Sequence, residues 1–549
     1  MLGRVALTLA AVMLAACGGG ADLAGPDAGS SGGGNTSGAS KGATPAGEAP
    51  TELRLAIGGE DEQGYDPTLG WGRYGSPLFQ STLLRRDAEL DIVNDLATGY
   101  EVSEDGLVYT VSIRDGVTFT DGEPLTADDV AYTFNTAAEE GGLTDVTVLD
   151  EAVAVDDTTV ELRLSEPQST FVNRLITLGI VPEHAHGRDY GRNPVGSGPY
   201  VLERWDEGQQ LIVTRNPDYY GEQPAFERLV FQFTDEEGNL AAARAGEVQI
   251  AVVPPALAVE QVPGMRLVTV ESVDNRGILF PFQADDGETD DDGNPIGNDV
   301  TSDLAIRQAI NYAIDRQALV DGILEGHGSP ATGPVDGLPW YEPESAIDDA
   351  DLEQGKQILA DGGWEDADGD GVLDKGGVPA AFTVVYPADD SVRQGLAVAA
   401  ADMIRPLGIE VTPEGASFDQ IEPLMHSTPV VFGWGSHDQT EMYNLYHSSL
   451  AGTGFFNAGY FDDAKVDSYL DLAMGATDLE EANVLWRAAQ LDDEGNGFTA
   501  KADAGWAWLV NLDHLYFVDE CLDVGSPQVE PHGHGYPFTA GIASWQWAC

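Results

Sequence analysis

An α/β fold is predicted by three observations. Segments of period-two hydrophobicity, such as Glu52–Ile57, Leu107–Ile113 and Thr159–Leu164, are interspersed with stretches of helical period and not segregated from them. Turn signals punctuate the chain, as in Arg114-Asp115-Gly116, Asp121-Gly122 and Gly196-Ser197-Gly198-Pro199. The 549 residues are 42% hydrophobic and 8% aromatic, enough to bury several cores and to argue against wholesale disorder. That length corresponds to roughly three to four domain-sized units.

The chain begins MLGRVALTLAAVMLAAC, with one cation at Arg4, an apolar run Val5–Ala16 and small residues before Cys17. This is the pattern of a secretory signal, too short to span a bilayer as a mature helix. Leu14-Ala15-Ala16-Cys17-Gly18 resembles a bacterial lipobox, which implies cleavage before Cys17 and lipid on its thiol; the plain alternative is an ordinary signal that contains a cysteine. Residues 18–50 are Gly, Ala, Ser, Thr and Pro with almost no large apolar side chain. They bury too little to offset chain entropy and read as a flexible tether. Of three cysteines, Cys521 and Cys549 then remain as an even pair in an oxidising compartment, so a disulfide is expected to staple the C-terminal end.

In the body, strands are expected at 52–57, 107–113, 117–120 and 159–164, then at 200–205, 210–215, 228–233, 248–252 and 382–386. Thr126 with Asp129 resembles a capping box opening a helix over 127–138, and Glu236–Ala245 is helical up to Gly246. The strongest helical stripe runs over Thr301–Leu324, with Asp315 placed to cap a second start.

Charge narrows the partners. Lys+Arg number 26 against 93 Asp+Glu, a net charge of −67, and only five of the cations are lysine. Nucleic acid and anionic lipid are excluded, since both need clustered cations. The acids are spread along the whole chain, which fits salt adaptation of the surface. With no basic patch visible in the sequence, a cationic or amine-bearing ligand is the one expected to be attracted.

Six segments in order carry a resemblance. They are Leu96–Gly106, Arg114–Gly122, Thr126–Val130, Pro194–Tyr200, Arg215–Tyr220 and Ala305–Arg316. Together they resemble the family 5 extracellular solute-binding proteins, the peptide- and nickel-type receptors of ABC importers. The resemblance implies a bilobal, type II periplasmic-binding clamp with an extra subdomain. Mapped here, lobe I takes 51–80, 195–275 and 505–549, the extra subdomain 81–194, and lobe II 276–504. It further implies a monomeric, extracytoplasmic receptor, tethered by lipid and partnered by an ABC permease with its ATPase. Its solute, a peptide first and a nickel or metal chelate as the alternative, would be captured by hinge closure.

The same resemblance places a Trp-containing segment of lobe II at the cleft, matched by Val430–Asp438. Ligand-facing candidates are Trp434, His437, Asp438 and Glu441, with Asp438 foremost as the partner of a ligand amine and plain packing as the alternative for Trp434 and His437. The family's Asp-Pro pair is absent, because Gln439 follows Asp438. Tyr65 and Asp66, in Gly64-Tyr65-Asp66-Pro67, match a lobe I loop that faces the cleft in relatives, or else form a turn.

Two patterns suggest metal. Asp366, Asp368, Asp370 and Asp374 alternate around glycines as in calcium loops, but Gly377 stands where the bidentate acid belongs, so a solvated turn is favoured and no resident cofactor is expected. His532 and His534, with His514 upstream and His447 able to converge, form a transition-metal pattern. A secreted hydrolase built on that pair is the remote rival, and no G-x-S-x-G, H-E-x-x-H or P-loop motif supports an enzyme.

Overall fold

A computed structural model describes residues 49–61, 64–75, 77–533 and 536–549. The signal with Cys17, residues 18–48 of the tether, and His534 lie outside the described residues. Two large sheets and a smaller one organise the rest.

The first sheet has seven strands, in the spatial order 265–270, 514–519, 250–252, 52–56, 228–232, 210–215 and 200–206. Glu52–Ala56 runs parallel to both of its neighbours, and its Leu53 and Leu55 are fully buried. The helix Glu236–Ala245 links the two flanking strands, opened by the Asp235 carboxylate on the Gly238 N–H and closed by Gly246 at φ +67°.

The second sheet has six strands, ordered 328–330, 506–512, 275–279, 430–432, 381–387 and 410–416. Ala381–Pro387, the helix Ser391–Ile404 and Glu410–Ala416 form a parallel βαβ unit on its edge. The smaller sheet, antiparallel, orders 97–102, 108–113, 159–164 and 149–156 under the helix Ala127–Glu140. That helix opens with the Thr126–Asp129 capping box, and the unit has a core of its own.

Two expectations are corrected, and a third, the second helix start at Asp315, is borne out. Trp506–Leu512 pairs antiparallel with Asn275–Leu279, so the chain returns to the first sheet between Leu512 and His514 and not at 505. The reason is burial: Trp506 and Trp508 stack at 4.4 Å within the second sheet's core. The 117–120 segment is no strand; only Thr118 bridges, to Pro124, because Gly122 turns the chain at φ +93° and Pro124 has no N–H to extend a ladder. The 301–324 stripe splits into helices Leu304–Ala313 and Arg316–Ile323, since Ile314 is extended and Asp315 caps the second by accepting from the Ala318 N–H.

Arg316 follows that break and is fully buried. Its guanidinium donates to the carbonyls of Ala331 (2.8 Å), Trp508 (2.7 Å) and Asn311 (2.8 Å), and to the Asn311 side chain (2.8 Å). One side chain thus ties two helices, the strand 506–512 and the segment just after the strand 328–330, which explains why an arginine closes the sixth matched segment.

The sheets are joined by two strands that cross side by side, 270–275 and 512–514, and the C-terminal segment lies along the first. Leu512 donates its N–H to the Asp274 carbonyl, and Glu530 exchanges backbone bonds with Glu271 and Val273. Asp274 is buried in the middle. Its carboxylate accepts from His514 Nε2 (3.2 Å), from His532 Nδ1 (2.5 Å) and from Arg276. Burial alone would raise that carboxyl, but the Arg276 and His532 charges and the His514 hydrogen bond hold it well below the usual range. His514 Nδ1 also meets Glu530 at 2.6 Å, and Tyr516 donates to the same carboxylate at 2.7 Å.

Cys521 and Cys549 are joined in a disulfide, which fastens the strand pair Leu522–Asp523 and Gln546–Trp547.

Two predictions follow from these buried groups. Arg316→Met leaves three buried carbonyls without a donor and is expected to cost about 3 kcal/mol or more, read as a lower urea midpoint at unchanged slope. For His514, burial lowers the pKa, but Asp274 and Glu530 overcome it and hold the imidazole at about 9. That lies above its unfolded value of 6.5, so its stabilisation is complete below about pH 6.5 and is lost as pH rises through 9. Buried Glu441, raised from 4.5 to about 8, adds a loss of the same sign at lower pH. The melting temperature should therefore fall between pH 6.5 and 9, and His514→Gln should flatten the upper part of that fall; a flat wild-type profile would contradict the assignment.

Candidate functional site

The segment after Val430–Phe432 is placed by close packing on the crossing strand. A Cβ on Gly433 would collide with the Asn275 carbonyl, and one on Gly435, at φ +152°, with the Val273 carbonyl. Between them Trp434 exchanges bonds with Asn275: its carbonyl accepts from the Asn275 N–H (2.8 Å), and its N–H donates to the Asn275 side chain (3.1 Å). Ser436, His437 and Asp438 consequently emerge at a fixed point beyond the strand's end, where α/β sheets collect ligands.

They face a cavity of about 170 Å³. Its opposite wall comes from Leu84–Arg86 and from the short helical stretch Phe171–Thr177, and Arg73, Tyr74 and Gln80 close one side. Gln528, Pro531 and Thr539 of the C-terminal segment complete it. Both sides of the crossing strands therefore contribute to one enclosure.

The sequence-derived candidates fare unequally. His437 and Asp438 line the cavity. Burial and the Arg86 charge push the His437 pKa down to about 3, so its imidazole is neutral, and its buried Nε2 has no hydrogen-bond partner among the described residues. Asp438 is already engaged by protein groups. Its Oδ2 accepts from Arg174 at 2.5 Å and its Oδ1 from the Thr440 N–H at 3.0 Å.

Trp434 packs with the second sheet's aromatic core, its ring 5.9 Å from Phe456, and is not part of the cavity wall. Glu441 is buried beneath the loop, accepting from the Gly435 N–H at 3.0 Å. Tyr65 is wholly buried, with Trp71, Phe79 and Trp205 rings 4.8–5.2 Å away. Asp66 caps the turn at Thr68 and faces His186 Nε2 at 3.1 Å. These two hold a loop together and do not reach the cavity.

The metal patterns also change. His532 and His514 meet on the Asp274 carboxylate, His514 also facing Glu530, while His447 stacks on Tyr443 beside Asp471 and does not join them. Asp366, Asp368 and Asp370 bring ligand oxygens within 4.8 Å of one another, all exposed. Their oxygens accept the loop's own N–H groups at Gly369, Asp370, Gly371 and Val372. Asp374 sits outside that group, paired in a two-stranded ladder.

Sequence reasoning missed the arginines. Arg85 and Arg86 are the only adjacent cations in the chain, a signal visible in the sequence. Arg86 donates to the Leu90 carbonyl (3.0 Å), the Asn173 side chain (2.7 Å) and the His437 carbonyl (2.9 Å). The fold brings Arg73 beside them in the cavity wall.

The Arg174–Asp438 pair crosses the cleft with side chains 8% and 15% exposed, so removing one partner strands a poorly solvated charge. Asp438→Asn is expected to cost about 3 kcal/mol by calorimetry, and Arg174→Met with Asp438→Leu to recover most of it. A double variant no better than the single would show that the pair is not what is lost.

A family model, "Bacterial extracellular solute-binding proteins, family 5 Middle", matches residues 91–457. Protein XP55 of Streptomyces lividans is 36% identical over 501 residues, covering 88% of each chain. The oligopeptide-binding protein AppA of Bacillus subtilis is 27% identical over 430 residues, 74% of this chain and 76% of its own. NikZ of Campylobacter jejuni, solved with Ni(L-His), superposes with a TM-score of 0.77 at 22% identity, covering 91% of this chain and 100% of NikZ. The fold is that of these periplasmic binding proteins, and the chain belongs to the bacterial extracellular solute-binding proteins of family 5.

Proposed function

We propose that the chain is a monomeric receptor, tethered to the membrane by lipid on Cys17, that captures a small peptide and delivers it to an ABC permease. Family 5 proteins are extracytoplasmic substrate-binding receptors of ABC importers and not enzymes, which sets aside the hydrolase alternative. No helix among the described residues is long and apolar enough to cross a membrane.

The observation that carries the reading is the cavity between Leu84–Arg86 and Ser436–Asp438. A solute held there touches both sides of the crossing strands at once, so it favours the closed arrangement by its contacts to each. The peptide assignment is supported by the 27% identity to AppA, an oligopeptide-binding protein. A nickel chelate is the alternative on the NikZ likeness, but that likeness, at 22% identity, bears on the fold alone.

Native mass spectrometry of the full chain, extracted from membranes in detergent without refolding, tests the reading. The expected spectrum shows a lipid adduct on Cys17 and a co-purifying peptide. A bound nickel chelate would overturn the peptide assignment, and an unlipidated chain beginning elsewhere would overturn the anchor.

A further inference from the structure

We infer that the cavity receives its solute by carboxylate groups, not by an amine, with Arg85 and Arg73 as the receiving cations. This deepens the receptor reading above and rests on it.

Three arginines and two aspartates line the cavity, in a chain where acids outnumber bases 93 to 26. Both aspartates are already engaged. Asp438 is held by Arg174 and by the Thr440 N–H, and Asp95 accepts from the Tyr220 hydroxyl at 2.8 Å. An incoming ammonium would have to displace a guanidinium that is itself almost buried.

The arginines are engaged differently. Arg86 donates to two carbonyls and an amide oxygen, all neutral, and the Asp438 charge acts on it. Arg73 lies with its guanidinium 5.0 Å from the Tyr74 ring centre. Arg85 is exposed; the Asp95 charge acts on it, but it makes no contact ion pair among the described residues. Guanidinium groups gathered around one cavity favour a carboxylate, which they can bind through paired N–H donors. His437, neutral in the same wall, offers no competing charge.

The test offers the full-length protein four pools, with native mass spectrometry reading what is captured: free tripeptides, the same tripeptides N-acetylated, C-amidated tripeptides lacking Asp and Glu, and small non-peptide di- and tricarboxylic acids. Capture from the acetylated pool should match the free pool within about twofold, the amidated pool should be captured about tenfold less or not at all, and Arg85→Gln should weaken the captured species about tenfold. Capture that demands a free amine, or that persists in the amidated pool, overturns the inference and leaves the peptide receptor standing. Capture from the non-peptide acids alone upholds the inference and overturns the peptide assignment; capture from no pool overturns both. Arg85→Gln and Arg73→Gln variants that fold by circular dichroism and bind as the wild type would also overturn it.

Discussion

The fold and the cavity both depend on one buried carboxylate. Asp274 sits where the chain passes from the first sheet to the second, and it gathers Arg276, His514 and His532 from three separate segments. Desolvating a carboxylate is costly, and it is tolerated here because all its partners are cations or strong donors. The arrangement holds the two crossing strands and the C-terminal segment in one register. Since Asn275 then pins Trp434, and His532 donates its N–H to the Gly435 carbonyl, the position of the cavity loop is inherited from the same place.

The extreme acidity looks different once side chains are located. Some of the aspartates are used locally: Asp235, Asp303, Asp315, Asp351, Asp390, Asp463 and Asp478 each cap a helix through their own carboxylate. The scarce cations are used in the opposite way. The buried ones are arginines, Arg174, Arg276, Arg307, Arg316 and Arg393, while no lysine is buried among the described residues. A planar guanidinium satisfies several carbonyls at once, as at Arg307 and Arg316, which a lysine's compact ammonium does less well. The net charge thus describes the surface, and the interior carries its own cations.

How much of this was legible in the sequence divides along distance. Period-two strands, the Thr126–Asp129 box and the Asp315 break depend on neighbours a few residues apart, and the residues themselves announce them. The family segments likewise pointed to the Ser436–Asp438 loop and to Arg316. What stayed hidden needs partners far along the chain. Asp438 reads as a free acid until Arg174 is found 264 residues earlier. His532 reads as a metal ligand until Asp274 is seen 258 residues away, and Tyr65 as a cleft residue until three aromatic rings close around it.

The cross-cleft contacts divide labour between closure and recognition. Arg174 meets Asp438, Thr440 donates to Thr170 at 2.9 Å, and Ser169 donates to the Ala473 carbonyl at 2.7 Å. Bonds the protein makes to itself stabilise the closed form whether or not a ligand is present. They set the starting population but do not discriminate among ligands, because only differential affinity for the two states shifts it. Asp438 therefore belongs to closure. Discrimination falls to side chains that face the cavity with no hydrogen-bonded partner across it among the described residues, and the cations of that set are Arg85 and Arg73.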